Sequence, residues 1–207
     1  LGDHMKARHI KAVMLGLTGL MAVTSIQAAD IEAGKAKTPL CIGCHMADGN
    51  SVNVIWPRLA GQQASYLVKQ LRDFKSGKRS DPTMNAMVAS LNDEDMVNIA
   101  AFFASQKPNE AKFDEALIGK GQNIYRGGIT ETAVAACMGC HSPGGEGNGP
   151  AAYPGLKGQH PEYIAAQLQK FKDGSRTNDA GKMMRNVANR MSNAEMKAVA
   201  AYVAGLK

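Results

Sequence analysis

The chain has 207 residues and a formal net charge of +6, with 24 lysines and arginines against 18 acidic residues. No basic run with interleaved aromatic residues occurs, so the composition favours a solvated basic surface and excludes nucleic-acid binding. Even without an N-terminal leader, the length is enough for one medium domain or two small ones.

The N-terminal segment has the layout of a secretory leader. Met5 is the natural start, three basic residues follow within six positions, and an apolar run covers residues 12–23. Small residues then predict cleavage after Ala28, which makes residues 1–28 a signal peptide and the mature protein periplasmic. Residues 1–4 are interpreted as a cloning scar or an over-long start. The uncharged stretch of 18 residues after Lys11 is at the short limit for a membrane span, so an uncleaved anchor is the alternative.

The second half of the chain repeats the first. Residues 56–62 (WPRLAGQ) match residues 153–159 (YPGLKGQ) at an offset of 97, and a three-residue insertion then pairs Met84 with Met184. Only two long units are present, which indicates a tandem domain duplication and not a solenoid. The polar segment between the units is the natural linker. The predicted boundaries are 29–107 for the first domain, 108–114 for the linker and 115–207 for the second domain.

Each unit is predicted to be helical. Apolar residues at helical spacing predict helices over 64–74 and 161–171, each followed by a glycine as a stop signal. Capping residues precede two terminal helices, predicted over 96–105 and 196–204. Because no alternating apolar run is long enough for a sheet, the fold class is expected to be all-α.

Two identical Cys-x-x-Cys-His motifs use all four cysteines. They are Cys41, Cys44 and His45 in the first unit, and Cys137, Cys140 and His141 in the second. Two thiols on one helical turn can form thioethers with the two vinyl groups of a porphyrin, and the histidine then lies under the iron. A zinc site does not need a histidine directly after each pair, and a thioredoxin-type pair would need a βαβ unit. The motifs therefore predict two covalently bound haem c groups.

The second axial ligand of each iron follows by elimination. His160 is the only histidine beyond His45 and His141 after residue 28, and it is predicted to be a surface helix cap, so bis-histidine ligation of both haems is excluded. Methionine is the other common ligand. The candidates are Met84 and Met87 in the first unit, and Met183, Met184 and Met191 in the second. Met84 and Met184 share one repeat position, so His45/Met84 and His141/Met184 are the predicted axial pairs. Met96 and Met196, in the terminal helices, are expected to be core residues.

Two prolines follow the ligand histidines at nearly equal distances. Pro57 lies 12 residues after His45, and Pro154 lies 13 residues after His141. Each proline carbonyl is predicted to accept the Nδ1–H of the ligand imidazole, which would fix the ring and raise its donor strength. The alternative is that each proline only shapes a turn.

The chain resembles the dihaem cytochromes c4. The likeness rests on residues 41–51, 56–62, 144–148 and 153–159, and it extends over essentially the whole chain after the leader. It implies two class I cytochrome c domains related by a pseudo-twofold axis, with haem propionates near the shared interface. It also implies crossed terminal helices, with Gly34 and Gly121 at the close approach and Phe102 or Phe103 and Tyr202 nearby.

The resemblance implies an electron carrier and not an enzyme. The expected donor is a quinol-oxidising complex or a small electron carrier, the expected acceptor is a terminal oxidase, and peripheral association with the inner membrane is implied. Two six-coordinate irons leave no position for a substrate. The alternatives are a dihaem peroxidase, in which one iron releases its methionine, and a dihaem subunit that serves a separate dehydrogenase.

Overall fold

The computed structural model describes residues 28–206. Nearly all of the predicted leader, residues 1–27, lies outside the described residues. Within residues 28–206 no helix is long and apolar enough to cross a membrane. This part of the chain is helical and forms no strand, apart from two isolated bridges, Ile129 with Val134 and Asn148 with Tyr153. The all-α prediction is confirmed.

The two halves contain the same helices in the same order. The first half has α1 (Ile31–Ala36), α2 (Ile42–His45), α3 (Ala64–Lys75), α4 (Pro82–Val88) and α5 (Asp93–Ser105). The second half has α6 (Ile118–Gly127), α7 (Met138–His141), α8 (Pro161–Lys172), α9 (Met183–Asn189) and α10 (Asn193–Ala204). Short 3₁₀ turns precede α2, α6 and α9.

The four helices predicted from periodicity are α3, α5, α8 and α10. The structure confirms them, and α5 and α10 begin three residues earlier than predicted. The reason is that both start in a capping box, in which the side chains of Asn92 and Asp95, or of Ser192 and Glu195, bind each other's backbone N–H. The boxes make the first turn regular before the apolar pattern begins.

In each domain the first helix packs against the last helix, and a glycine lies at the point of contact. α1 packs on α5, and α6 packs on α10. A Cβ at Gly34 would overlap the carbonyl oxygen of Asn98, and one at Gly121 would overlap that of Ala198. Only glycine allows this approach of the two backbones, as the resemblance implied. A Cβ at Gly121 would also meet the buried Tyr202, and Phe102 and Phe103 on α5 are buried too.

Each domain has its own hydrophobic core. The first is built on α3, α4 and α5, and the second on α6, α8, α9 and α10. Met96 and Met196 are almost fully buried, at 1% and 2% exposure, which confirms them as core residues. Two separate cores show that the repeat in the sequence is a repeat of compact folding units.

Equivalent residues build both sides of the domain interface. The amide of Gln62 donates to the carbonyl of Gly155 (2.9 Å) and accepts from its N–H (2.7 Å). Gln159, which matches Gln62 in the repeat, makes the same pair of bonds with Arg58, which matches Gly155 (3.0 and 2.9 Å). This reciprocity is the signature of a twofold relation between the two domains.

Candidate haem centres

The Cys-x-x-Cys-His motifs form the helices α2 and α7. The His45 N–H donates to the Cys41 carbonyl (2.9 Å), and the His141 N–H donates to the Cys137 carbonyl (3.0 Å), so each motif is one helical turn. The turn ends at once because Met46 and Ser142 have positive φ angles of 64° and 69°. A single closed turn keeps the two thiols and the imidazole of each motif close together.

Both ligand histidines are buried and oriented. Nδ1 of His45 lies 2.9 Å from the carbonyl oxygen of Pro57, and Nδ1 of His141 lies 2.9 Å from that of Pro154. A carbonyl can only accept, so Nδ1 carries the proton and Nε2 keeps its lone pair. Burial lowers the pKa of both imidazoles, although the proline carbonyls act in the opposite direction. Each ring is thus held as a neutral imidazole, the form that binds iron.

The first motif opens on a cavity of about 390 Å³. Cys41, Cys44 and His45 line it, as do Met84 and Met87. Both methionines lie on α4, a seven-residue helix that starts at Pro82 and is capped by Asp81. Met84 also packs against the first hydrophobic core. These contacts favour Met84 over Met87, and the assignment of the axial ligand stays a prediction.

In the second domain the candidate methionines have different environments. Met184 packs, like Cys137, against the second core. Met183 is 41% exposed, and its sulfur accepts from the Tyr153 hydroxyl at 3.8 Å. The contacts favour Met184, which also stays a prediction.

The residues of both motifs fit covalent attachment of haem. Burial raises the pKa of the Cys41 thiol and raises that of Cys137 to about 11, which is the opposite of the lowered thiol pKa of a redox-active pair. Residues 28–206 contain no group of three or more His, Cys, Asp or Glu side chains arranged to hold a metal ion. Two thiols beside an oriented neutral imidazole match the demands of haem c.

The prediction that His160 is a surface cap is wrong. Its side chain is 5% exposed and makes no capping bond to α8. Nε2 donates instead to the Ser51 carbonyl of the first domain at 2.8 Å. The position faces the other domain, which a pattern local to α8 does not reveal. His160 is therefore an interface residue.

Sequence reasoning also missed an arginine cluster between the domains. Arg79 donates to the Tyr163 hydroxyl (3.0 Å), and its repeat partner Arg176 donates to the Tyr66 hydroxyl (3.0 Å). Burial alone would raise the pKa of Tyr66, but Arg176 and Arg79 lower it below its ordinary value. Both arginines line the cavity onto which the first motif opens, and residues of both domains therefore enclose it. The signal for this cluster in the sequence was the repeat, which pairs Arg79 with Arg176 and Tyr66 with Tyr163.

Comparisons with known proteins agree with this geometry. The sequence model of the family described as Cytochrome c matches residues 31–107 and 120–207. The cytochrome c4 of Pseudomonas aeruginosa is 45% identical over 193 residues, which cover 93% of this chain and 94% of the relative. The crystal structure of reduced recombinant cytochrome c4 from Pseudomonas stutzeri matches with a TM-score of 0.84 and 43% identity, over 87% of this chain and all of that one. The chain belongs to the dihaem cytochrome c4 family.

As a member of the cytochrome c4 family, the chain has two class I cytochrome c domains and binds two covalent haem c groups. It is an electron-transfer cytochrome that works with other redox proteins. A protein named thiosulfate dehydrogenase electron acceptor, from Stutzerimonas stutzeri, is 37% identical over 203 residues, which cover 93% of this chain and 94% of that protein. Relatives with a dehydrogenase partner therefore exist beside the cytochromes c4.

Because His160 is buried in the contact between the domains, we expect acid to weaken that contact. Burial lowers its pKa and Arg58 adds to this, while the Ser51 hydrogen bond and Glu162 oppose it. His160 binds its proton more tightly in the unfolded chain than in the folded protein. The stabilisation that neutral His160 gives the folded protein is therefore complete above about pH 6.5, and it is lost as the pH falls through the lower pKa of the folded state.

His160→Gln keeps a donor for Ser51 but cannot titrate, and it introduces the residue that the first domain has at the matching position, Gln63. We expect the free energy of unfolding, from urea titrations of the haem-loaded protein, to fall less between about pH 7.5 and about pH 5 in this variant than in the wild type. Equal pH dependence in both proteins would show that His160 does not carry the effect.

Proposed function

We propose that the protein is a periplasmic electron carrier that passes single electrons from a quinol-oxidising complex or a small carrier towards a terminal oxidase. The observation that carries the proposal is the use of the histidines. His45 and His141 belong to the attachment motifs, and His160 is bound to Ser51 in the domain interface. No histidine in residues 28–206 remains to act as a polar distal group on haem, which argues against catalysis because that requires a polar distal pocket and an open position on the iron.

The side chains of this protein would hold the haem groups in place. Each haem supplies reversible one-electron chemistry. His45 and His141 would bind the irons through Nε2, with Nδ1 held by the carbonyls of Pro57 and Pro154. Met84 and Met184 are proposed to complete the two coordination shells. Since no bond is made or broken, such saturated irons favour fast electron transfer over catalysis.

The periplasmic location is proposed from the predicted leader and from the two attachment motifs. Covalent haem attachment through paired thiols and an N-terminal secretory segment both fit an exported protein. Peripheral association with the inner membrane is proposed from the resemblance to the cytochromes c4. Fractionation of cells that produce the full chain would test this. We expect the haem-staining protein in the periplasmic fraction, with a smaller portion that salt releases from membranes.

A second candidate is service as the electron acceptor of a dehydrogenase. The thiosulfate dehydrogenase electron acceptor of Stutzerimonas stutzeri supports it, because the likeness covers nearly the whole of both chains. In this case both haem centres are unchanged and only the donor differs. Reduction of the purified protein by a thiosulfate dehydrogenase, at a rate matching that by a quinol-oxidising complex, would favour this candidate.

The absence of catalysis is tested by optical spectroscopy of the purified protein. We expect two low-spin haems in both redox states and no spectral change on addition of cyanide or peroxide near neutral pH. Binding of either molecule by one haem, followed by peroxide turnover, would contradict the carrier proposal and support a dihaem peroxidase.

A further inference from the structure

Two methionines stand side by side at the start of α9. Met183 is the first residue of this helix and Met184 is the second. No other pair of adjacent methionines occurs in the chain. Two thioethers are equal ligands in chemical terms, and an iron with a histidine on one side takes only one of them. The fold therefore has to keep one of the two sulfurs away from the iron.

Met184 is held by its neighbour's backbone and by packing. The Asp179 carboxylate accepts from the backbone N–H of Arg185 (3.0 Å) and from Nε of the same residue (2.7 Å). The Asp179 side chain is 4% exposed, so this ion pair is sheltered from water. Met184 itself packs against the second hydrophobic core. The helix is thus anchored directly after Met184.

Met183 is less constrained by its own helix. Its side chain is 41% exposed, and no side chain caps the start of α9. Gly181 and Lys182, which precede it, have positive φ angles of 59° and 58°, a region that lysine adopts rarely. The matching helix of the first domain, α4, starts in a regular way, because Asp81 accepts from the Met84 N–H at 3.1 Å. The position of the Met183 sulfur therefore depends on a contact outside α9.

That contact is made by the Tyr153 hydroxyl, which donates to the Met183 sulfur at 3.8 Å. Tyr153 is itself fixed, because its backbone exchanges two hydrogen bonds with Asn148, of 2.9 and 3.0 Å. Its ring centroid lies 6.3 Å from that of His141, and the next residue, Pro154, binds Nδ1 of the same histidine. Tyr153 thus ties Met183 to the segment that orients the ligand imidazole.

The first domain has the same positions without a competing sulfur. Thr83 precedes Met84 where Met183 precedes Met184, and Trp56, which has no hydroxyl, stands at the position of Tyr153. The hydroxyl and the second sulfur therefore occur together, in the domain where two neighbouring methionines have to be distinguished. The fold requires neither of them, because both domains form the same helices.

We propose that Tyr153 determines which methionine binds the second iron, because its hydroxyl holds the Met183 sulfur away and leaves the position to Met184. Tyr153 is a positioning residue, since it acts through Met183. The second haem then has one coordination state and one reduction potential, which a carrier of single electrons needs. This inference rests on the proposed coordination of the second iron by Met184.

The test removes Met184 and measures whether Met183 can replace it. The haem-loaded proteins to compare are Met184→Ala, Met184→Ala/Tyr153→Phe and Met183→Leu/Met184→Ala/Tyr153→Phe. The far-red sulfur-to-iron band of each oxidised protein is measured per mole of covalent haem. The half of the band that belongs to the first haem is the internal standard, because a variant that keeps it is folded. Trp56→Phe in the Met184→Ala background is the matched control for loss of an aromatic side chain.

We expect Met184→Ala to lose half of the band, because the hydroxyl still holds Met183 away. Tyr153→Phe in that background should raise the share of iron bound by Met183 about fivefold, as the loss of one hydrogen bond allows. A measurable part of the missing half should then return. Met183→Leu should abolish the return, and Trp56→Phe should not produce it.

A band in Met184→Ala/Tyr153→Phe equal to that in Met184→Ala would overturn the proposal. So would a full band in both Met184→Ala and Met183→Ala, because either methionine would then bind without release by Tyr153. Loss of half of the band in Met183→Ala with none in Met184→Ala would overturn the ligand assignment itself, and the proposal with it. These patterns differ, so failure of the positioning role and failure of the assignment are distinguished.

Discussion

Replacing Cys41 and Cys44 together with alanine is expected to leave a protein that carries one haem instead of two. The two thiols stand on the single turn of α2 beside His45, and each can hold the porphyrin only through its own thioether bond. The denatured mass should fall by one haem plus the two sulfur atoms. Cys137→Ala with Cys140→Ala should give the same loss from the second domain.

The attachment motif also offers a matched control for the cysteine variants. A Cβ at Gly43, between the two cysteines of the first motif, meets nothing within 4 Å. Gly43→Ala should therefore keep both haems and the wild-type mass apart from the added methyl group. A cysteine double variant that retains two covalent haems would defeat the attachment assignment, and this measurement does not require the variant to stay folded.

Met84→Ala and Met184→Ala are each expected to remove half of the weak sulfur-to-iron absorption band in the far red. Each substitution takes away the proposed sixth ligand of one iron, while the His45 or His141 side remains in place. The reduction potential of the affected haem should fall, because methionine ligation raises it. Optical spectra and a redox titration of the oxidised and reduced protein measure both effects.

The neighbouring methionines provide the controls. Met87→Ala and Met183→Ala remove a methionine from the same helices, α4 and α9, and should leave the band intact. Met183 is exposed, and its sulfur already accepts a hydrogen bond from the Tyr153 hydroxyl. If Met87→Ala or Met183→Ala abolishes half of the band instead, the use of the repeat to choose between the candidates is wrong.

Local patterns were sufficient to predict the helices and the attachment chemistry. The apolar spacing of α3 and α8 and the capping residues before α5 and α10 act within one turn or one face of a helix, so they can be recognised in the sequence. The thiols and the imidazole of each motif also lie close together in the chain, so the attachment chemistry can be recognised in the sequence as well. The repeat extended these local signals by pairing positions that carry equal roles, such as Pro57 with Pro154.

Features that depend on the contact between the domains could not be predicted in this way. His160 was placed at the surface because its local sequence is that of a helix start, yet its partner Ser51 is 109 residues away. The bonds from Arg79 and Arg176 to the tyrosines span 84 and 110 residues. The short helices α4 and α9 were not predicted either, since seven residues are too few for a periodic signal.

Gln62 and Gln159 make matching hydrogen bonds across the interface, so two identical domains would be able to form the same contacts. Two separate copies of a single-domain ancestor could have paired through the same contacts, and in such a homodimer every substitution appears on both sides. When the two copies are joined in one chain, a substitution in one domain no longer appears in the other, so each domain can acquire substitutions alone. Ser51 and His160, which now form one contact from unlike positions, show what that freedom allows.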